Sequence, residues 1–279
     1  MSSPALVDVD CAVCGQGPGV TALLKAVRGP EEPGRIARCG GCGHMFVSPR
    51  HDDVWIAQSY ADSGLAAEYL VRLYLPHEVG RRRVMEGFLD EIERHTPGRG
   101  RLLDVGAATG LLASLATDRG WQATGVEPSE PARRFGFERY GVRLLPGFFE
   151  QLPWTPGAYD CVTMLDVLEH VVRPVECLRA AVESLAPGGL VAILTPNWDS
   201  LSRRLLGGRW DAVVPSGHLH YFRPCLLARL LETLGLELLE ATTRGLPGLG
   251  GRPRWRRPLE RLGLGEAIWV LGRKMARAS

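Results

Sequence analysis

From about residue 100 to residue 275 the chain alternates short apolar runs with amphipathic stretches, and no other feature restricts its fold as tightly. Leu102-Leu103-Asp104-Val105, Ala123 to Val126, Arg143 to Leu145, Tyr159 to Leu165 and Leu190 to Leu194 read as strands. Helices are predicted from about Leu111 to Arg119, from near Pro131, and from Pro174, where Val175, Leu178, Val182 and Leu185 share one face. Proline suits the first position of that helix, and Pro187-Gly188-Gly189 is expected to end it. Strands alternating with helices predict a parallel sheet covered on both faces, with ligands beyond the carboxyl ends of its strands. The rhythm then breaks. A helix from about Pro224 to Leu234, a strand from Leu236 to Ala241 and a last strand near Ala267 to Leu271 predict an antiparallel edge.

The first of these strands runs into Asp104-Val105-Gly106-Ala107-Ala108-Thr109-Gly110, and a helix follows. Small residues let the backbone turn sharply and approach a ligand, and the helix start offers unpaired N–H groups. Glu127 lies seventeen residues after Gly110, at the end of the second strand, where a carboxylate can accept both hydroxyls of a ribose. A dinucleotide site is a poor fit. Ala108 takes the place of the middle glycine of G-x-G-x-x-G, and Asp104 would repel a pyrophosphate, whereas a cationic ligand would be attracted.

Ahead of this region the chain is of a different kind. Residues 8–50 are rich in Gly, Cys and Pro, and Cys11-Ala12-Val13-Cys14 and Cys39-Gly40-Gly41-Cys42 form two C-x2-C pairs. Four thiolates converging in a tetrahedron select zinc and make a closed structural site, so Cys11, Cys14, Cys39 and Cys42 are the candidate metal ligands. His44 is a possible competing ligand. Residues 60–96 read as helical, first with Leu65, Tyr69, Leu70, Leu73 and Tyr74 up to Pro76, then with Val84, Met85, Phe88, Leu89 and Ile92 on one face. The expected organisation is a zinc-ribbon-like module over 1–50, a helical linker or cap over 51–98 and an α/β domain over 99–279. The net charge of +2 is too small to point to nucleic acid. No apolar run spans a bilayer, and the acidic start from Met1 to Asp10 lacks the pattern of a secretory signal, so a cytoplasmic protein is expected.

The segments over residues 100–275 resemble the class I S-adenosylmethionine-dependent methyltransferases, especially the broad group of ubiquinone-type and small-molecule enzymes. The resemblance rests on Asp104 to Gly110, Glu127-Pro128-Ser129, Gly147 to Pro153, Tyr159 to Val162 with Asp166-Val167-Leu168-Glu169-His170, and Leu185 to Gly189. It implies a seven-stranded Rossmann-like sheet with helices on both faces, and S-adenosylmethionine as cofactor. It also implies donor contacts from Asp104, Gly106, Ala107, Ala108, Gly110, Glu127, Pro128, Ser129, Phe148, Phe149, Leu165, Asp166 and His170. Phe148 and Phe149 replace the acid or amide that often reads adenine; they either stack on the base or pack in the core. Cys39 to Arg50 resembles the zinc-ribbon leader of methyltransferases that modify sugars and other small metabolites.

Methyl transfer from a sulfonium is an in-line displacement that depends on positioning and needs a base only when the nucleophile must lose a proton. His218, His220 and Tyr221 in Gly217 to Phe222 are the candidate catalytic residues, and histidines two apart point the same way if that segment is extended. They could instead bridge loops or hold a second metal. Arg244 to Arg261 carries six arginines and one glutamate, read as a solvated connector. The expected activity is transfer of a methyl group to oxygen or carbon of a small-molecule acceptor, in a natural-product or glycoconjugate pathway. Two alternatives stand beside it. An RNA methyltransferase would show a continuous basic face and salt-dependent affinity; a non-catalytic binding protein would keep the fold without the donor.

Overall fold

The computed structural model describes residues 6–17, 20–25, 35–61, 77–245 and 256–276. In chain order its strands and α-helices are β1 (Leu6–Val7), β2 (Val20–Lys25), β3 (Arg35–Cys39), β4 (Met45–Val47), β5 (Arg50–His51), α1 (Asp53–Ala61), α2 (Glu78–Glu93), β6 (Arg101–Val105), α3 (Leu111–Asp118), β7 (Gln122–Glu127), α4 (Glu130–Tyr140), β8 (Leu145–Pro146), β9 (Tyr159–Leu165), α5 (Pro174–Ser184), β10 (Leu185–Pro196), α6 (Leu201–Leu206), β11 (His220–Tyr221), α7 (Pro224–Thr233), β12 (Leu236–Arg244), α8 (Arg256–Arg261) and β13 (Ala267–Lys274). Seven of the strands form one sheet in the order β12-β13-β10-β9-β6-β7-β8. Two compact units emerge, one of Val54–Leu165, Arg179–Ala192 and Leu271–Ser279, the other of Met1–Asp53, Asp166–Leu178 and Ile193–Val270.

In the first unit β6 is the hub. It pairs in parallel with β7 (Leu102 opposite Ala123) and with β9 (Leu103 opposite Val162), and β7 pairs in parallel with β8. Leu102, Leu103, Cys161 and Val162 are fully buried, as strands covered on both faces require. Helix α3 starts at Gly110, whose φ of 74° is left-handed and favours glycine. Helix α4 is capped by Ser129, whose hydroxyl accepts the Ala132 N–H at 3.4 Å. Gly136 lets α4 lie against the cofactor-type turn, because a Cβ there would run into the carbonyl of Thr109.

The second unit holds a four-stranded sheet, β11-β4-β3-β2. Strand β3 pairs antiparallel with β4 (Ala37 opposite Phe46), and β4 with β11 (His220 opposite Phe46, Tyr221 opposite Met45). Ile36, Met45, Val47, Trp198, Trp210, Val213 and Tyr221 share one buried cluster. Strands β12 and β13 run in opposite senses, since Glu266 bonds to Gly245 while the Trp269 indole reaches Glu240. The expected antiparallel edge is therefore present, with the last strand inserted between β12 and β10.

Three local expectations change. Helix α5 ends at Ser184 and β10 already begins at Leu185, so Pro187-Gly188-Gly189 lies inside the strand; Gly188, with φ of 78°, takes the irregular backbone there. The third strand is Leu145–Pro146 rather than Arg143 to Leu145. In the segment around His218 only His220 and Tyr221 are strand, and the two histidines meet different partners, His218 the Ala212 carbonyl and the His170 ring, His220 the His44 ring. The predicted helix bearing Leu65 to Tyr74 and most of the arginine-rich stretch lie outside the described residues. Among the described residues no helix is long and apolar enough to cross a membrane.

Candidate donor site and cysteine cluster

Strand β6 delivers Asp104 and Val105 to a turn in which Gly106, Ala108 and Gly110 all take positive φ (65°, 48° and 74°). For Ala108 this is an uncommon backbone state for a residue with a Cβ, the kind of local strain that collects at binding sites. Glu127, at the end of β7, fixes the turn from the side. Its Oε2 accepts the Ala108 N–H at 2.9 Å and its Oε1 accepts the Ser129 N–H at 2.8 Å. Each oxygen keeps a second lone pair, enough for a ligand hydroxyl apiece. Glu127 is 9% exposed, and burial pushes its carboxyl above the usual range against those two backbone bonds.

Asp104, at the head of the motif, is held from within the sheet. Its side chain turns inward, 4% exposed, and Oδ1 accepts the Thr163 hydroxyl at 2.7 Å. Burial raises its pKa to about 7, with Thr163 opposing and the Glu127 charge adding to the rise. Through this bond it ties β6 to β9. Ala107 and Ser129 are buried, while Pro128, Phe148 and Leu165 are half-buried. Phe149 belongs to the core, 3% exposed with its ring 4.9 Å from Trp154, whose indole N–H donates to the Phe149 carbonyl at 2.6 Å. The two phenylalanines thus divide: Phe149 packs, and Phe148 keeps an exposed face.

In the other unit the two C-x2-C knuckles bring Cys11, Cys14, Cys39 and Cys42 together, all four sulfurs within 4.8 Å of one another. Cys11 Sγ lies 3.6 Å from Cys42 Sγ, and Cys14 Sγ lies 3.5 Å from Cys39 Sγ. Tetrahedral zinc with bonds of about 2.3 Å would set its thiolates about 3.8 Å apart, so the donor set and spacing fit that ion. Burial pushes the Cys11 thiol up, and Cys42 up to about 11. At Cys39 burial acts the same way, but the backbone N–H groups of Cys42 and Gly41 outweigh it and bring the thiol down to about 7.

His44 does not join the sulfurs. Its Nε2 lies 3.1 Å from His220 Nδ1 in a fully buried pair. Burial holds both imidazoles neutral, His220 down to about 3. Tyr221 is also core, 1% exposed with its ring 5.4 Å from Trp198. Of the three catalytic candidates only His218 stays half-buried. It stands in the turn before β11, its Nδ1 2.8 Å from the Ala212 carbonyl and its ring 4.7 Å from that of His170. His170 Nδ1 in turn lies 2.9 Å from the Gly217 carbonyl. Burial lowers His170 to about 4 and His218 to about 3. Asp166 is exposed with φ of 54°, and its N–H is held by the Leu194 carbonyl at 2.9 Å.

Glu169 belongs to the Asp166-to-His170 motif, and the sequence alone points to no role for it. Its carbonyl accepts the N–H groups of Leu219 (2.7 Å) and His220 (3.1 Å), and its carboxylate, 1% exposed, accepts the Thr195 hydroxyl at 2.9 Å. The one signal available was a carboxylate inside an otherwise apolar run beside a histidine.

A methyltransferase-domain family model matches residues 77–241, leaving the cysteine pairs outside the match. The chain is 34% identical over 149 residues to the ubiquinone biosynthesis O-methyltransferase of Aeromonas salmonicida, covering 49% of this chain and 62% of that one. It is 32% identical over 168 residues to the enzyme of the same name from Idiomarina loihiensis, covering 52% and 66%. The matches thus span a little under two thirds of these relatives. Among solved structures, the 1,6-didemethyltoxoflavin-N1-methyltransferase of Burkholderia thailandensis, with 1,6-didemethyltoxoflavin and S-adenosylhomocysteine bound, superposes with a TM-score of 0.56 at 17% identity over 84% of this chain and 95% of that one. That likeness is one of fold. With the family model matched over more than half of its length, this chain belongs to the methyltransferase-domain family of enzymes.

Proposed function

We propose that the protein transfers a methyl group from S-adenosylmethionine to an oxygen or carbon of a small-molecule acceptor, with oxygen favoured by the relatives' names and the pathway a biosynthetic one. The observation that carries this reading is the turn of Gly106 to Gly110 braced by Glu127, whose carboxylate binds backbone on both sides and retains acceptors for a ribose diol. The donor, when bound, supplies an electrophilic methyl on a cationic sulfur. The chain's own part is to hold the ribose with Glu127, to cover the base with Phe148 and to orient the acceptor. Of the three catalytic candidates, His218 is the one proposed to serve the acceptor, because it alone is not buried in the core.

The cysteine cluster completes the proposal: Cys11, Cys14, Cys39 and Cys42 hold a structural zinc ion within a module over residues 1–50, joined through 51–98 to the catalytic domain over 99–279. Incubating the protein with methyl-labelled donor and a panel of phenols tests the activity. Label recovered on an acceptor supports it; donor binding without transfer to any hydroxyl or carbon in the panel, alongside transfer to nitrogen, would overturn the assignment.

A further inference from the structure

Glu169, His170 and His218 each present one ligand-type atom, and the three atoms lie within 4.8 Å of one another. Two features set this group apart from a chance meeting of polar side chains. First, both imidazoles have Nδ1 at a backbone carbonyl, His170 at Gly217 and His218 at Ala212. A ring nitrogen beside a carbonyl oxygen carries the proton, so both rings keep their lone pair on Nε2. This is how a histidine is held when its other nitrogen serves a metal. Second, the Glu169 carboxylate is buried at 1% exposure, and among the described residues no arginine or lysine pairs with it. Thr195 fixes Oε2 at 2.9 Å, and Oε1 faces His170 Nε2 at 3.9 Å. That gap is too wide for a hydrogen bond. Two metal–ligand bonds of about 2.1 Å span up to about 4.2 Å, so an ion fits between them after a small side-chain adjustment.

We propose that Glu169, His170 and His218 form a second metal site, distinct from the cysteine cluster, for one divalent first-row transition ion. Two imidazoles and a carboxylate select zinc, cobalt, iron or manganese over calcium and magnesium, and three protein ligands leave positions open to an oxygen of a bound molecule. Thr195 is the residue that orients the carboxylate. The ligands come from the turn that follows β9 and from the turn before β11, and the carbonyl of Glu169 already ties those segments together through Leu219 and His220.

The test is titration of the zinc-loaded full chain with Co2+, followed by absorption spectroscopy and by metal analysis after desalting. The expected result is one further equivalent of cobalt with weak visible bands and no thiolate charge-transfer band, which would mark exchange into the cysteine site. Glu169→Gln keeps the Thr195 hydrogen bond and loses the charge; it and His218→Gln are each expected to weaken that uptake at least tenfold, and Thr195→Val by roughly tenfold. Either ligand variant suffices if the other does not fold. Uptake that shows only thiolate bands, no second equivalent in the unaltered protein, or uptake unchanged in a folded ligand variant overturns the site.

Discussion

The turn around Gly106 and the histidine cluster around Glu169 are built in opposite ways. The first is local: Gly106 to Gly110 and Glu127 to Ser129 belong to two neighbouring strands, and the contacts are mostly backbone N–H to carboxylate. The second is assembled from four distant stretches, with His44 against His220, Glu169 beneath Leu219, and Thr195 on Glu169. A site made of backbone turns tolerates sequence drift as long as small residues remain. A site made of long-range side-chain contacts depends on elements elsewhere, here on β4, which takes His220 and Tyr221 as an added strand.

That difference can be broken or sharpened by substitution. The largest effect is expected at the cysteines. Structural zinc contributes about 10 kcal/mol or more to small modules, so Cys39→Ser should release the ion and expose the amides of Arg35–Cys39 and Met45–Val47 to hydrogen exchange. Titration with S-adenosylhomocysteine should change by less than about threefold if the donor turn is as local as its contacts indicate. Next come the two phenylalanines. Phe149→Ala should cost about 3–5 kcal/mol of stability in urea unfolding, the usual loss for a buried ring. Phe148→Ala should leave stability within about 1 kcal/mol and weaken donor affinity several-fold, the expected loss of one stacked ring.

Asp104 supplies a pH test. Its folded pKa, raised to about 7, stands above the ordinary carboxylate value of 3.8. Between those limits the native state holds a proton that the unfolded chain has released, so stability falls as pH rises through that window and is constant above it. Asp104→Asn keeps the Thr163 hydrogen bond and removes the slope. Above pH 7 the variant should be more stable than the parent by up to about 4 kcal/mol, and below pH 4 nearly equal to it. Unfolding curves at four pH values decide this; a parallel fall in both proteins would mean that the carboxyl is ionised throughout.

What could be read from sequence follows the same division. Strands β6, β7 and β9, the start of α3, the glycine-poor turn and the two cysteine pairs are fixed by residues a few positions apart, and they appear within a residue or two of their expected places. The start of β10 at Leu185 has no local signature, because Pro187-Gly188-Gly189 reads as a stop while pairing within the sheet keeps the segment extended. The pairing of His220 with His44, 176 positions away, has no local signature, nor does the inward turn of Asp104 onto Thr163. Glu127 was legible as a ribose-type carboxylate at the end of a strand; the packing adds that it holds the backbone N–H groups of Ala108 and Ser129.

The central claim is that this braced turn binds the methyl donor, and calorimetric titration of S-adenosylhomocysteine into the zinc-loaded protein and its Glu127→Ala variant tests it most directly. Saturable one-to-one binding, weakened about a hundredfold in the variant by loss of roughly 2.7 kcal/mol of charge-assisted hydrogen bonding, is the predicted result. No binding to the folded parent, or equal binding to both proteins, would contradict it.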